Sequence, residues 1–311
     1  MLPEFATETS LDPGAPLSPY IDSTMVATFR ACPKKFSYTF LHNLRPAGSS
    51  IHLAAGSAFA AGLEAIRNLQ ALDPSGPLPN DILLEAAMPA ILRGYGDQSI
   101  SDPDSPKNIH NVINAIELYL NDFHPYYDEV QPLVVGGKPT TEFSFSIPLG
   151  INHPSGEPFL YVGRFDMLGH YKANDLLVVL DDKTAGSLGS YWMKQWDMRG
   201  QFLGYLWACQ KMGYNVHNVV VRGTGLLKTQ TDFLSLPLSY SQHLIARWEQ
   251  ELYNTIELII HYHKNGYFPY NFADACSSYG GCAYQQLCQA EHPEQWLNNF
   301  KIEKWNPVSE D

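Results

Sequence analysis

Five consecutive apolar residues, Leu176-Leu177-Val178-Val179-Leu180, run straight into Asp181-Asp182-Lys183-Thr184. An apolar run of that length, bounded by polar residues, fits a buried strand. Fourteen residues separate Asp181 from Asp166, which closes an earlier run, Phe159 to Val162 followed by Gly163-Arg164-Phe165-Asp166. Between them HYKAND (residues 170–175) supplies a turn. Two adjacent strands, each ending in an acid, are therefore expected. Residues i and i+2 of a strand share a face, so Asp181 and Lys183 project together while Asp182 turns away.

Paired carboxylates can hold a hard divalent cation, and a neighbouring ammonium can orient or activate a water beside it. That chemistry suits phosphodiester cleavage. The bland alternative is a pair of turn acids with a solvated lysine, because so short a pattern arises by chance in many chains.

The remaining pattern is α/β. A helix is predicted over 22–43, capped by Ser23 or Thr24 and interrupted at Pro33. Further helices are predicted over 55–70, 108–123 and 191–212, and a last one from Ser241 to Lys264. In that last helix Leu244, Trp248, Leu252, Ile256, Ile259 and Ile260 form one stripe, and Gly266 ends it. Strands are expected at Thr141–Ile147, up to Asp166, up to Asp181 and over Val216–Leu227. Residues 73–80 and 99–107 are Pro/Asp/Ser-rich loops. The expected division is an N-terminal arm (1–20), a helical region (21–135), a sheet-bearing core (136–235) and a C-terminal helix with a cysteine-rich end (236–311).

With 45% hydrophobic and 17% charged residues, the 311-residue chain can bury a sizeable core. It has no run of about 18 uninterrupted apolar residues, so no membrane span is expected. The first twenty residues lack the basic and apolar segments of a secretory leader, which leads to the expectation of a cytoplasmic protein. A net charge of −12 opposes broad coating of nucleic acid. It leaves room for a local basic groove with modest, strongly salt-sensitive affinity.

Of the five cysteines, Cys209 lies in an apolar helical run and reads as a small buried hydrophobe. Cys32 stands alone near the start, whereas Cys276, Cys282 and Cys288 fall within 13 residues, with Gly280-Gly281 between them. Cysteines of an intracellular chain are expected to be thiols, and four thiolates could hold Zn²⁺ or an iron–sulfur cluster.

Taken with Gln201 and Tyr205, which lie four apart on the predicted 191–212 helix, the Asp166…Asp181-x-Lys183 pattern resembles the PD-(D/E)XK nuclease superfamily. Within it, the chain is similar to the RecB/AddB-like and CRISPR-adaptation branch in a standalone, phage-type form. The resemblance spans nearly the whole chain and implies a restriction-endonuclease-like α/β core of αβββαβ order, a mixed central sheet flanked by helices. It implies that Asp166 and Asp181 bind Mg²⁺ or Mn²⁺, helped by the backbone carbonyl of Asp182. Lys183 would position the attacking water or stabilise the transition state. Gln201 and Tyr205 would contact the DNA backbone or the lysine. The resemblance also implies a [4Fe–4S] cluster on Cys32, Cys276, Cys282 and Cys288, joining the two ends of the chain.

Two departures stand out. The spacing from Cys276 to Cys282 is C-x5-C where the branch has C-x2-C. The branch's helix reading G-x-x-x-H-x-x-L-E is here Gly56 to Glu64, with Ala60 in the histidine's place and Glu64, one turn on, as the substitute carboxylate. The implied function is a metal-dependent DNA exonuclease favouring single strands, with DNA ends as substrate and recombination or replication proteins as partners. The alternative is a weak or inactive DNA-end or partner-binding module that keeps the cluster, and a third reading is a zinc-stapled structural protein. No G-x-x-x-x-G-K-[ST] loop is present, so no ATP-driven motor is expected.

Overall fold

The computed structural model describes residues 11–12, 14–48, 50–96, 104–228, 230–272, 274–277 and 281–307. Most of the predicted N-terminal arm up to residue 10, and residues 99–103 of the predicted 99–107 loop, lie outside this set. In chain order the elements are β1 (Tyr20–Ile21), α1 (Ser23–Ala31), α2 (Pro33–Phe36, continued by a π-helical turn Ser37–Leu41), β2 (Leu44–Pro46), α3 (Ile51–Leu72), α4 (Asn80–Tyr95) and α5 (Ile109–Asp122). There follow β3 (Val130–Pro132), β4 (Val134–Val135), β5 (Lys138–Pro139), β6 (Thr141–Asn152), β7 (Pro158–Tyr171) and β8 (Leu177–Ala185). The remainder comprises α6 (Ser190–Lys194), α7 (Gly200–Lys211), β9 (Asn218–Leu226), β10 (Thr231–Ser239), α8 (Gln242–Lys264), α9 (Gln285–Gln289) and β11 (Phe300–Ile302). The chain divides into two compact units, one of residues 50–144 and 164–245, the other of residues 1–49, 145–163 and 246–311.

The first unit is a mixed sheet with helices. The second half of β7 pairs antiparallel with β8, from Met167↔Leu180 to His170↔Leu177. β8 runs parallel to β9 (Val179↔Val219 to Ala185↔Gly225), and β9 pairs antiparallel with β10. Of the predicted apolar run, Val178, Val179 and Leu180 are buried, as a strand covered on both faces requires, whereas Leu177 is half-buried and Leu176 lies exposed just before β8. Helices α3, α4 and α5 bury Phe59, Leu63, Ile66, Leu83, Ile91 and Ile116 in one cluster. α3 and α4 cross closely: a Cβ at Gly94 would lie 2.5 Å from the Cα of Ala58.

Several expectations are corrected here. β7 continues to Tyr171 and β8 to Ala185, so Asp166 and Asp181 lie within strands rather than at their ends. The reason is pairing: Lys183, Thr184 and Ala185 stay in register with Gly223, Thr224 and Gly225. The predicted 191–212 helix is two helices, α6 and α7. At the break, the Trp196 carbonyl accepts a hydrogen bond from the Tyr240 hydroxyl at 2.7 Å. α4 and β10 were not expected at all. Pro89 lies inside α4, which is held by its buried Leu83, Ala87 and Ile91, and Pro237 is tolerated in β10 because, among the described residues, that strand is an edge strand paired with β9.

In the second unit, α1 is capped by Asp22, whose carboxylate accepts from Met25 N–H at 2.7 Å, and not by Ser23 or Thr24. The predicted break falls at Cys32, whose extended backbone lets Pro33 open α2. α8 buries Trp248, Leu252, Ile256 and Ile259 along the predicted stripe, and Gly266 follows it at φ +63°. β11 pairs with β2, and Tyr284 stacks on Phe300 above that pair. Among the described residues no helix is long and apolar enough to cross a membrane.

Candidate active site

One step beyond the Met167↔Leu180 pair, β7 and β8 bring Asp166 beside Asp181. The backbone N–H of Asp182 donates to Asp166 Oδ2 at 2.7 Å, tying the first acid to the strand that carries the second. Lys183 Nζ stands 2.5 Å from Asp181 Oδ2, so the expected common face of Asp181 and Lys183 is present. Asp181 is fully buried, and among the described residues its Oδ1 has no hydrogen-bond partner. Burial pushes the Asp181 carboxyl up to about 7, against the pull of Lys183 and with the help of the Asp166 charge. Asp166 is raised by the same burial, which outweighs Lys183. Burial alone would lower Lys183, but Asp181 and Asp166 reverse the sign and hold it firmly protonated.

An unpartnered buried carboxylate oxygen beside a second carboxylate is what a divalent cation would satisfy. Among the described residues no three His, Cys, Asp or Glu side chains are grouped to hold a metal ion. Mg²⁺ does not need three, since it binds through one or two carboxylates and keeps several waters. The donor set of Asp166 and Asp181 fits such an ion.

The side chain of Asp182 turns away, as predicted, and is taken up by Arg67 at 2.7 Å, which leaves only its backbone toward Asp166. Gln201 and Tyr205 do share a face: Gln201 Nε2 donates to the Tyr205 hydroxyl at 2.9 Å, and that hydroxyl donates to the Arg164 carbonyl at 2.8 Å. They therefore meet the backbone of β7 two residues before Asp166. Beside Asp166 and Lys183 lies a cavity of about 410 Å³, lined on one side by His52, Gly56, Ser57 and Ala60 of α3. Ala60 thus occupies this wall where the resembled helix carries a histidine. Glu64 is not among the lining residues.

Two neighbours were not singled out from sequence. Glu142, which falls within the predicted Thr141–Ile147 strand, pairs with Arg164 at 2.7 Å. Its carboxyl is pushed up to about 7 by burial, then by the charge of Asp166, with Arg164 opposing. Its backbone lies at φ +45°, which a strand alternation could not foretell. His52 falls two helical turns before Ala60 on the same face, an i, i+4, i+8 series with Gly56 that the sequence did carry.

In the other unit, Cys32, Cys276, Cys282 and Cys288 all line one cavity of about 280 Å³, together with Tyr270, Phe272 and Lys35. Cys282 N–H donates to the Cys276 carbonyl at 2.9 Å, closing the C-x5-C loop on itself. All four are free thiols. Cys288 is pushed up to about 11, first by burial and then by its cysteine neighbours Cys282, Cys32 and Cys276, with Lys34 opposing. Cys209 is buried, as predicted, and belongs to α7.

A mixed α/β core with an aspartate on one central strand and D-x-K on the next defines a nuclease of the restriction-endonuclease type. Residues 23–289 match the model of the PD-(D/E)XK nuclease superfamily, and the chain belongs to that family. The fold resembles that of a solved structure named "Putative exonuclease" from Eubacterium rectale, with a TM-score of 0.51, 12% identity, and coverage of 83% of this chain and 86% of that one. A second structure, SSO0001, aligns with a TM-score of 0.28 at 16% identity over 63% of this chain and 74% of that one, too low to bear on the fold. Comparison with curated proteins gave no match.

Proposed function

We propose that the protein is a metal-dependent DNA exonuclease. The observation that carries this reading is the Asp166–Asp181–Lys183 group built round the fully buried Asp181, one of whose oxygens lacks a donor among the described residues. Asp166 and Asp181 would hold Mg²⁺ or Mn²⁺, assisted by the Asp182 carbonyl. Such an ion supplies Lewis-acid polarisation of the phosphate and a more acidic water. Lys183, protonated and pinned to Asp181, presents a positive charge where negative charge develops on the phosphate. Tyr205 and Gln201 hold the β7 backbone near Asp166. The exonuclease mode draws on the printed name of the Eubacterium rectale neighbour. Preference for single strands, and recombination or replication proteins as partners, follow from the family resemblance.

We further infer a [4Fe–4S] cluster on the four cysteines, with a structural role. A tetrahedral zinc site draws its sulfurs to about 2.3 Å from one point. Here four thiols line one cavity of about 280 Å³. The choice of an iron–sulfur cluster over zinc rests on the family resemblance. Ala60 in the cavity wall favours the second reading, a DNA-end-binding module with little turnover.

Incubation with linear and closed-circular single-stranded DNA in Mg²⁺ or Mn²⁺ separates these readings. An exonuclease degrades the linear strand and leaves the circle whole. Nicking of the circle would overturn the exonuclease mode, and binding without cleavage of either would favour the module.

A further inference from the structure

Behind β8, on the face opposite Asp181 and Lys183, lies a chain of buried charges. Arg222, 1% exposed, grips Asp128 with both terminal nitrogens, one of them at 2.5 Å. Arg222 Nη1 also donates to the Tyr119 hydroxyl at 3.0 Å, and Arg67 Nη2 donates to that hydroxyl at 2.9 Å. The hydroxyl in turn donates to Asp182 Oδ1 at 3.2 Å, while Arg67 Nη1 meets Asp182 Oδ2 at 2.7 Å. Tyr119 thus uses its one proton and both lone pairs. Two guanidinium groups balance two carboxylates, and the five residues come from α3, α5, the segment before β3, β8 and β9.

Buried ion networks are weak contributors to stability, because desolvation offsets much of the attraction. Their best-attested use is to fix register. The strand here needs such a device. It carries two consecutive aspartates, and a slip of one residue would exchange the faces of Asp181 and Asp182 and turn Lys183 away from the reacting side. Val178, Val179 and Leu180 of β8, buried on both faces, discriminate little between the two registers.

We propose that Tyr119, Arg67, Arg222 and Asp128 are positioning residues. They recognise Asp182 specifically, and so set Asp181 and Lys183 together on the opposite face of the strand and place the Asp182 N–H on Asp166. The proposal rests on the metal-site reading above. Its conservative probe is Tyr119→Phe, which keeps the ring packed against Phe59, Phe123 and Phe233 and removes only the shared hydroxyl.

Mn²⁺ binding by calorimetry, without DNA, reads the effect directly. Tyr119→Phe is expected to weaken Mn²⁺ binding about 10- to 100-fold, the range for groups that orient metal ligands. In cleavage assays kcat should fall and KM for DNA should not change. Asp128→Leu combined with Arg222→Met removes a charge pair as a unit and guards against simple misfolding, since such apolar replacements are often neutral for stability. It should remain folded and show the same Mn²⁺ loss. Wild-type affinity in a folded Tyr119→Phe protein, with lower Tm alone, would overturn the positioning role. Absence of Mn²⁺ binding in the wild type would overturn the metal-site reading and this proposal with it.

Discussion

The raised Asp181 carboxyl makes metal binding a competition with a proton. Its folded value of about 7, against an ordinary 3.8, is a shift of roughly three units, or ~4 kcal/mol of disfavour for the charged form. Without metal the folded state holds a proton between pH 4 and 7 that the unfolded chain has released. Stability from this group is therefore greatest below about pH 4 and falls as pH rises to about 7. A divalent cation binds the deprotonated form, so one proton is released on binding below pH 7. With a single proton titrating near 7, apparent affinity for Mg²⁺ should drop about 25-fold between pH 7.5 and pH 5.5. Calorimetric titration in two buffers of different ionisation enthalpy measures affinity and proton release together. Asp181→Asn should reduce the proton release and flatten part of the fall of metal-free stability between pH 4 and 7, the remainder belonging to Asp166 and Glu142, whose carboxyls burial also raises. Mg²⁺ affinity that is flat from pH 5.5 to 7.5, with no proton released, would refute the reasoning.

Other outcomes follow from the same geometry. Gly94→Ala places a Cβ about 2.5 Å from the backbone of Ala58 and should cost about 1–3 kcal/mol, read as a lowered denaturant midpoint with unchanged m-value. Cys282→Ala should lower both iron content after anaerobic purification and Tm, because the four thiols bracket a loop of 243 residues between Cys32 and Cys276; a stable, iron-loaded variant would count against the cluster. With a net charge of −12, DNA affinity should fall steeply between 50 and 200 mM salt in a filter-binding assay.

Much of the centre was legible because it rests on strand periodicity. The i, i+2 rule put Asp181 with Lys183 and turned Asp182 away, and the contacts of each agree. The family was legible from the same residues and is the one that matches over residues 23–289. What could not be read was set by contacts distant in sequence. Arg222 and Asp128 are 94 residues apart, and nothing local marks either as buried and paired. Glu142 looks like an ordinary exposed strand residue until Arg164 and a positive φ draw it in. α4 was hidden by Pro89, and β10 by Pro237, since local propensity disfavours elements that tertiary packing nonetheless holds. The cysteines were legible as a set, and their common cavity brings the four thiols together across the chain.

The most direct test of the central claim is cleavage of end-labelled single-stranded DNA in Mg²⁺ by anaerobically prepared wild type and Lys183→Ala. Among the described residues Lys183 is the cation paired with Asp181, so its loss should lower the rate at least ~100-fold while the variant still binds DNA and keeps its fold. Equal cleavage by the two proteins would contradict the assignment of this centre.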